Sequence, residues 1–113
     1  MCHASSVAAL MEAIGTGAVT APVSEVKNAE VAIVIGARPG QNHPVAATFM
    51  KNAVKKGLKL IIMDPREQDL TRIAEKHLKF KPGTDVALLN AMLNVIVEEG
   101  LVDRQYIEKN TDG

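Results

Sequence analysis

VAIVIGARPGQNHP, residues 31–44, is the stretch whose reading decides the fold. Its first five residues are all apolar, a run short enough for a strand and too continuous for a half-exposed one. That pattern predicts a strand buried on both faces. Gly36 ends the run, and a polar loop leads into a helix that begins at Pro44, where a missing N–H costs nothing. Strand, tight loop and helix N-terminus form the unit with which α/β proteins hold an anionic ligand.

Outward towards the C-terminus, residues 44–56 read as a helix with Val45, Phe49 and Ala53 or Val54 facing inward. Lys51, Lys55 and Lys56 suit the negative end of its dipole, and Gly57 closes it. LKLIIM, residues 58–63, is a second buried strand, stopped by Asp64-Pro65-Arg66. A short helix over 67–75 follows. Residues 77–80 give a third, weaker strand with Leu78 and Phe80 inward, so His77 and Lys79 face solvent. Thr84 is the expected N-cap of a helix running to Glu99. Its Val86, Leu89, Leu93, Ile96 and Val97, widened by Leu88, Met92 and Val95, imply burial on more than one side. Gly100 ends it, and residues 103–109 add a short helix.

Towards the N-terminus, residues 15–30 form a loop with one helical turn at 24–29. Before it, residues 3–14 are helical, with Val7, Leu10, Met11 and Ile14 on one face. Cys2 and His3 therefore stand at a helix N-terminus, where the dipole favours a thiolate. A frayed start with an ordinary thiol fits the same position.

Alternating strands and helices predict an α/β fold, a single Rossmann-like three-layer domain over residues 1–113. Its short parallel sheet, in the order 3-2-1, is flanked by helices. Aromatics are only 3% of the 113 residues against 47% hydrophobic, so the core is aliphatic. Thirteen basic residues balance thirteen acidic ones, which gives no broad attraction to nucleic acid. One cysteine excludes an internal disulfide and any all-cysteine metal cluster. No apolar run approaches the ~20 residues of a membrane span, and no basic-then-apolar secretory leader is present. The expectation is a cytoplasmic protein, with export of a larger parent left open.

In a parallel sheet the carboxyl ends of the strands share one side, so loops 36–43, 64–66 and 82–85 should converge there. Arg38 and Arg66 bring fixed charges capable of bidentate contact with phosphate. Asp64 stands where a carboxylate can accept hydrogen bonds from ribose or base. Neither GxGxxG nor GxxxxGK is present. Spacing thus supports a phosphate-bearing ligand and leaves NAD and a mononucleotide module both open. The competing reading pairs Arg66 with Glu67 or Asp69, makes Pro39-Gly40 a plain turn, and keeps Asn42 and His43 as helix-capping residues.

CHASSVA, GTGA, IGARPGQNHPVAA, MDPR, KPGTDVALLNAMLNVIVEEGL and YIEKNTDG, in this order from Cys2 to Gly113, resemble the molybdopterin oxidoreductases. Within that family the likeness is to the catalytic large subunit of formate dehydrogenases. The resemblance implies a fragment, since that subunit has an iron–sulfur region upstream and further domains downstream. It implies molybdenum bis(molybdopterin guanine dinucleotide) as cofactor, with a 4Fe-4S cluster in the parent only. Cys2 would be the molybdenum ligand and His3 the neighbouring proton acceptor, as formate is oxidised to carbon dioxide. Related nitrate reductases tend to carry Cys-Met at that place. The dinucleotide would be held by Gly36, Arg38, Gln41, Asn42 and His43 in the first loop. Met63, Asp64, Pro65 and Arg66 would serve in the second, and Gly83, Thr84 and Asp85 in the third. Family members often place Asn or Thr where Ala37-Arg38-Pro39 stand, and an acid at Gln41. The implied partners are the other domains of the subunit and electron-transfer or iron–sulfur subunits; the isolated chain is expected to be inactive.

Overall fold

The structure is a computed structural model that describes residues 1–112. Three parallel strands, β1 (Val31–Ile35), β2 (Lys59–Met63) and β3 (Lys76–Leu78), pair in the order β1-β2-β3, which is the order expected. β2 is central, and β1 and β3 are the two edges. Among the described residues five helices accompany them: α1 (Ala4–Ile14), α2 (Pro39–Asn42), α3 (Pro44–Lys55), α4 (Asp85–Glu98) and α5 (Arg104–Asn110). Two 3-10 turns, Val23–Asn28 and Asp69–Ile73, complete the path. No helix among the described residues is long and apolar enough to cross a membrane.

The core lies between α3 and one face of the sheet. Val34, Ala47, Leu60, Ile62 and Leu70 are buried together, with Ala32, Met50, Val54, Ile73 and Ala74 packed around them. Small Ala47 and Ala53 let α3 lie close to the strands. Ala53 and Val54 face inward as expected, but two other expected positions do not. Val45 is 69% exposed and Phe49 is 40% exposed, because the alanine side, rather than the bulkier one, is pressed to the sheet.

β1 is not buried on both faces. Ala32 and Val34 face the core, while Val31, Ile33 and Ile35 alternate with them and stay exposed. An unbroken apolar run predicts cover on both sides, but among the described residues cover is present on one. α4 departs in the same way. Its wide stripe contains no buried residue, and Leu93 is 59% exposed. α1 and α5 also bury nothing.

The remaining differences are local. The helix expected over 67–75 is only the 3-10 turn Asp69–Ile73. The loop after β1 contains the helical turn α2. The third strand ends at Leu78, and its facing is reversed. Parallel register aligns Ile62 with Val34 on one side and with His77 on the other, so His77 lies on the core face. Leu78 aligns with Met63 and Ile35 and is itself exposed.

Candidate functional site

Loops 36–43 and 64–66 leave the carboxyl ends of adjacent parallel strands and are tied together by hydrogen bonds, while loop 82–85 follows β3 after three further residues. Gly36 takes a positive φ of 57°, which L side chains rarely adopt, and a Cβ there would meet nothing. Its N–H donates to the Met63 carbonyl at 3.0 Å, so the last bond of the β1–β2 ladder fixes the start of the first loop. The Arg38 carbonyl then accepts from Gln41 and Asn42 N–H groups, both at 3.0 Å, which winds α2. Gly40 is more than a plain turn residue. A Cβ there would fall on the Asp69 side chain, so the glycine permits the 3-10 turn to press against α2.

Arg38 is half-buried, and its Nε is a buried donor without a partner. Gln41, Asn42 and His43 are exposed. The capping role considered for His43 is not met: it occupies the N-cap of α3, yet its side chain makes no capping bond. Asn42 and His43 line an open groove of about 420 Å3 with Val23, Pro44, Val45 and Phe49.

The second loop is the most firmly held. Asp64 is 6% exposed, and three bonds converge on it. Its N–H donates to the Leu78 carbonyl at 3.2 Å, and its Oδ1 accepts from the Arg66 N–H at 2.8 Å. Its carbonyl accepts from His77 Nε2 at 2.9 Å; a carbonyl can only accept, so that ring nitrogen carries the proton. His77 is thus half-buried and bonded, not a free surface residue. Met63 is fully buried beneath the loop. Arg66 is exposed and pairs with neither Glu67 nor Asp69. The ion pair among the described residues is Lys79–Glu67, at 3.0 Å. Hydrogen bonding to Lys79 and its charge, with a smaller contribution from His77, hold the Glu67 carboxyl below the usual range.

In the third loop Gly83 has φ 82° with open space where a Cβ would stand. Thr84 precedes α4 as expected, but its Oγ1 donates to the Lys81 carbonyl at 2.7 Å rather than capping the helix. Asp85 lies in the first turn of α4, where its charge complements the dipole.

Cys2 and His3 stand apart. Both are exposed at the start of α1, and His3 makes no side-chain capping bond. Among the described residues no hydrogen bond joins residues 1–18 to the three loops. The structure therefore joins the first two loops, and shows no hydrogen bond from either of them to loop 82–85 or to the Cys-His pair among the described residues. No group of three or more His, Cys, Asp or Glu side chains poised for a metal ion occurs among the described residues.

Three residues at this site escape a reading of the sequence. Gln68 donates from Nε2 to the Ala37 carbonyl at 2.6 Å, across 31 positions of chain, while its Oε1 stays buried without a partner. His77 and Gly40 are the others, and only the Pro-Gly dipeptide carried any local signal.

A family model described as molybdopterin oxidoreductase matches residues 1–107. The chain is 40% identical over 98% of its length to formate dehydrogenase H of Escherichia coli, covering 16% of that protein. It is 36% identical over its full length to F420-dependent formate dehydrogenase 1 subunit alpha of Methanococcus maripaludis, covering 17%. The assimilatory nitrate reductase catalytic subunit of Bacillus subtilis is 32% identical over the same full length, with 16% covered. The chain thus spans about a sixth of the length of these relatives.

Proposed function

We propose, from the premise that this chain belongs to the molybdopterin oxidoreductase family, that it is the dinucleotide-holding part of a formate dehydrogenase large subunit. A molybdenum–pterin cofactor follows from the family; its bis(guanine dinucleotide) form is our reading. The residues present fit such a group. Gly36 and Gly83 leave open space at strand or helix ends, where backbone can approach a ligand closely. Among the described residues, Arg38 presents a buried donor without a partner and Arg66 pairs with no carboxylate. Two unneutralised guanidinium groups at one sheet end are what a pyrophosphate requires. The observation that carries the reading is this pair of free arginines on two loops joined by Gln68.

When bound, the cofactor would accept the two electrons released as formate becomes carbon dioxide. This chain would contribute the rest. Gly36, Arg38, Gln41, Asn42 and His43 would hold the dinucleotide from one side. Met63 to Arg66 would hold it from the second loop, and Gly83, Thr84 and Asp85 from the third. The Cys2 thiolate, a soft ligand suited to a redox-active metal, would bind molybdenum. The exposed His3 imidazole would take the proton that formate loses. Formate yields one carbon dioxide, one proton and two electrons, so these roles balance. The electrons would leave through an iron–sulfur cluster elsewhere in the parent and its electron-transfer partners.

The similarity to nitrate reductases supports a second reading, a sister enzyme acting on another oxyanion. The Cys2-His3 order favours formate. Turnover of the intact parent with formate and nitrate in parallel separates the two, and Cys2→Ser should abolish most of whichever activity is present. Titrating the chain with GDP, watched by amide shifts, tests the site itself. Shifts confined to residues away from 36–43, 64–66 and 83–85 would overturn it. The purified 113-residue chain should not oxidise formate.

A further inference from the structure

Gln68 is buried, polar and unused by the chemistry above. It follows Arg66 by two residues, so the segment that forms the second loop also carries this side chain. At 7% exposure it must find partners or leave polar atoms stranded. Its N–H donates to Thr71 Oγ1 at 3.0 Å, and its carbonyl accepts from the Thr71 N–H at 2.9 Å. These two bonds seat the residue at the start of the 3-10 turn Asp69–Ile73 and leave one rotatable arm. That arm crosses to the first loop and donates from Nε2 to the Ala37 carbonyl. An independent contact closes the same gap one step on, since Gly40 lies against the Asp69 side chain.

We infer that Gln68 is a positioning residue that sets the first loop, with Arg38, at a fixed distance from the second loop, with Arg66. The inference rests on the reading of these loops as a nucleotide site. Its physical content is preorganisation. Arg38 has a buried unpartnered Nε, and the backbone immediately before it is the atom pair that Gln68 holds. Without that bond, residues 36–38 are anchored only by the Gly36–Met63 bond at one end and the α2 bonds at the other. A ligand would then have to order the loop as it binds, and affinity would fall by that cost. The placement also gives Ala37-Arg38-Pro39, where the chain departs from common family residues, a support that does not depend on an Asn or Thr side chain. Gln68 is not a catalytic residue, for it need touch neither substrate nor reacting atoms.

The test is GDP binding to the full chain and its variants, followed by amide shifts and by melting temperature. Gln68→Met keeps the volume and removes the donor. It should weaken GDP binding about tenfold, with shifts at 64–66 retained and those at 36–38 diminished. Ile73→Val is the control for a merely structural role. It loosens the same turn within the core, so it should lower the melting temperature and leave GDP affinity within about twofold. Wild-type affinity in a folded Gln68→Met chain overturns the inference. In the wild type, slow exchange of the Gln68 side-chain amide in the ligand-free chain supports the clamp without any variant. Exchange at the rate of a free amide overturns it. If GDP shifts none of the three loops in the wild type, the nucleotide reading itself fails, whatever the amide exchange shows.

Discussion

β2 and α4 are both rich in large aliphatic side chains, yet the protein treats them in opposite ways. Leu60, Ile62 and Met63 in β2 are 1% exposed or less. In α4 no residue is buried, and Val86 and Leu93 stand 70% and 59% exposed. The difference lies in what each segment is paired with. β2 has a strand on either side and α3 over one face. α4 leaves β3 through an exposed loop and finds no packed partner among the described residues. Apolar patterning thus states a demand for cover, and topology decides whether the same chain meets it.

The sharpest way to break that comparison is to remove one side chain from each member. Ile62→Ala should cost about 2–5 kcal/mol in denaturant unfolding, because the cavity sits in a closed cluster. A cost under about 1 kcal/mol would mean the sheet face is looser than its burial indicates. Gly40→Ala should come next, at about 1–3 kcal/mol, since the added methyl displaces Asp69 and the turn behind it. Leu93→Gln should change stability by no more than about 0.5 kcal/mol, the range of ordinary surface substitutions. A core-sized loss there would show that α4 is covered within this chain, and the contrast would collapse.

The smallest effect concerns the rim of the site. Lys79→Ala should return the Glu67 carboxyl towards its usual titration range, followed by its side-chain carbon shift with pH. Because the pair holds Glu67 low, its stabilisation is present above the usual carboxylate range and fades as pH falls through the lowered value. Both side chains are well exposed, so melting temperature should hardly move.

These contrasts also explain what the sequence reveals. β1, β2 and α3 are legible because their apolar runs are bounded by Gly36, Pro44, Gly57 and Asp64-Pro65, whose backbone preferences act locally. The meeting of the first two loops is legible for a similar reason, as adjacent parallel strands leave little freedom in where their ends go. The facing of β3 is not. Three residues carry too little periodicity, and the bond from His77 to the Asp64 carbonyl reaches across 13 positions. Gln68 is less visible still, since its partner is a backbone atom 31 residues away and any residue could supply it. Val45 and Phe49 in α3 misled because bulk predicts demand for burial, whereas close helix–sheet contact selects the small Ala47. The family of the chain was legible from its ordered motifs, but the position of Cys2 and His3 relative to the loops was not.

The edge position of β1 has a consequence for how the molecule behaves in quantity. Its sequence, VAIVI, has no charge and no proline, and its outer side carries backbone donors and acceptors that β2 does not use. Native sheets normally blunt such a margin with lysine, proline or a bulge. Here the margin is left able to accept a further strand, so the sheet is open to extension rather than closed. A second copy pairing along this line would repeat the same geometry, which is the pattern that templates fibrous growth. A lysine at Ile33, central in the strand and on its uncovered face, would act as a gatekeeper against that growth while leaving the core untouched.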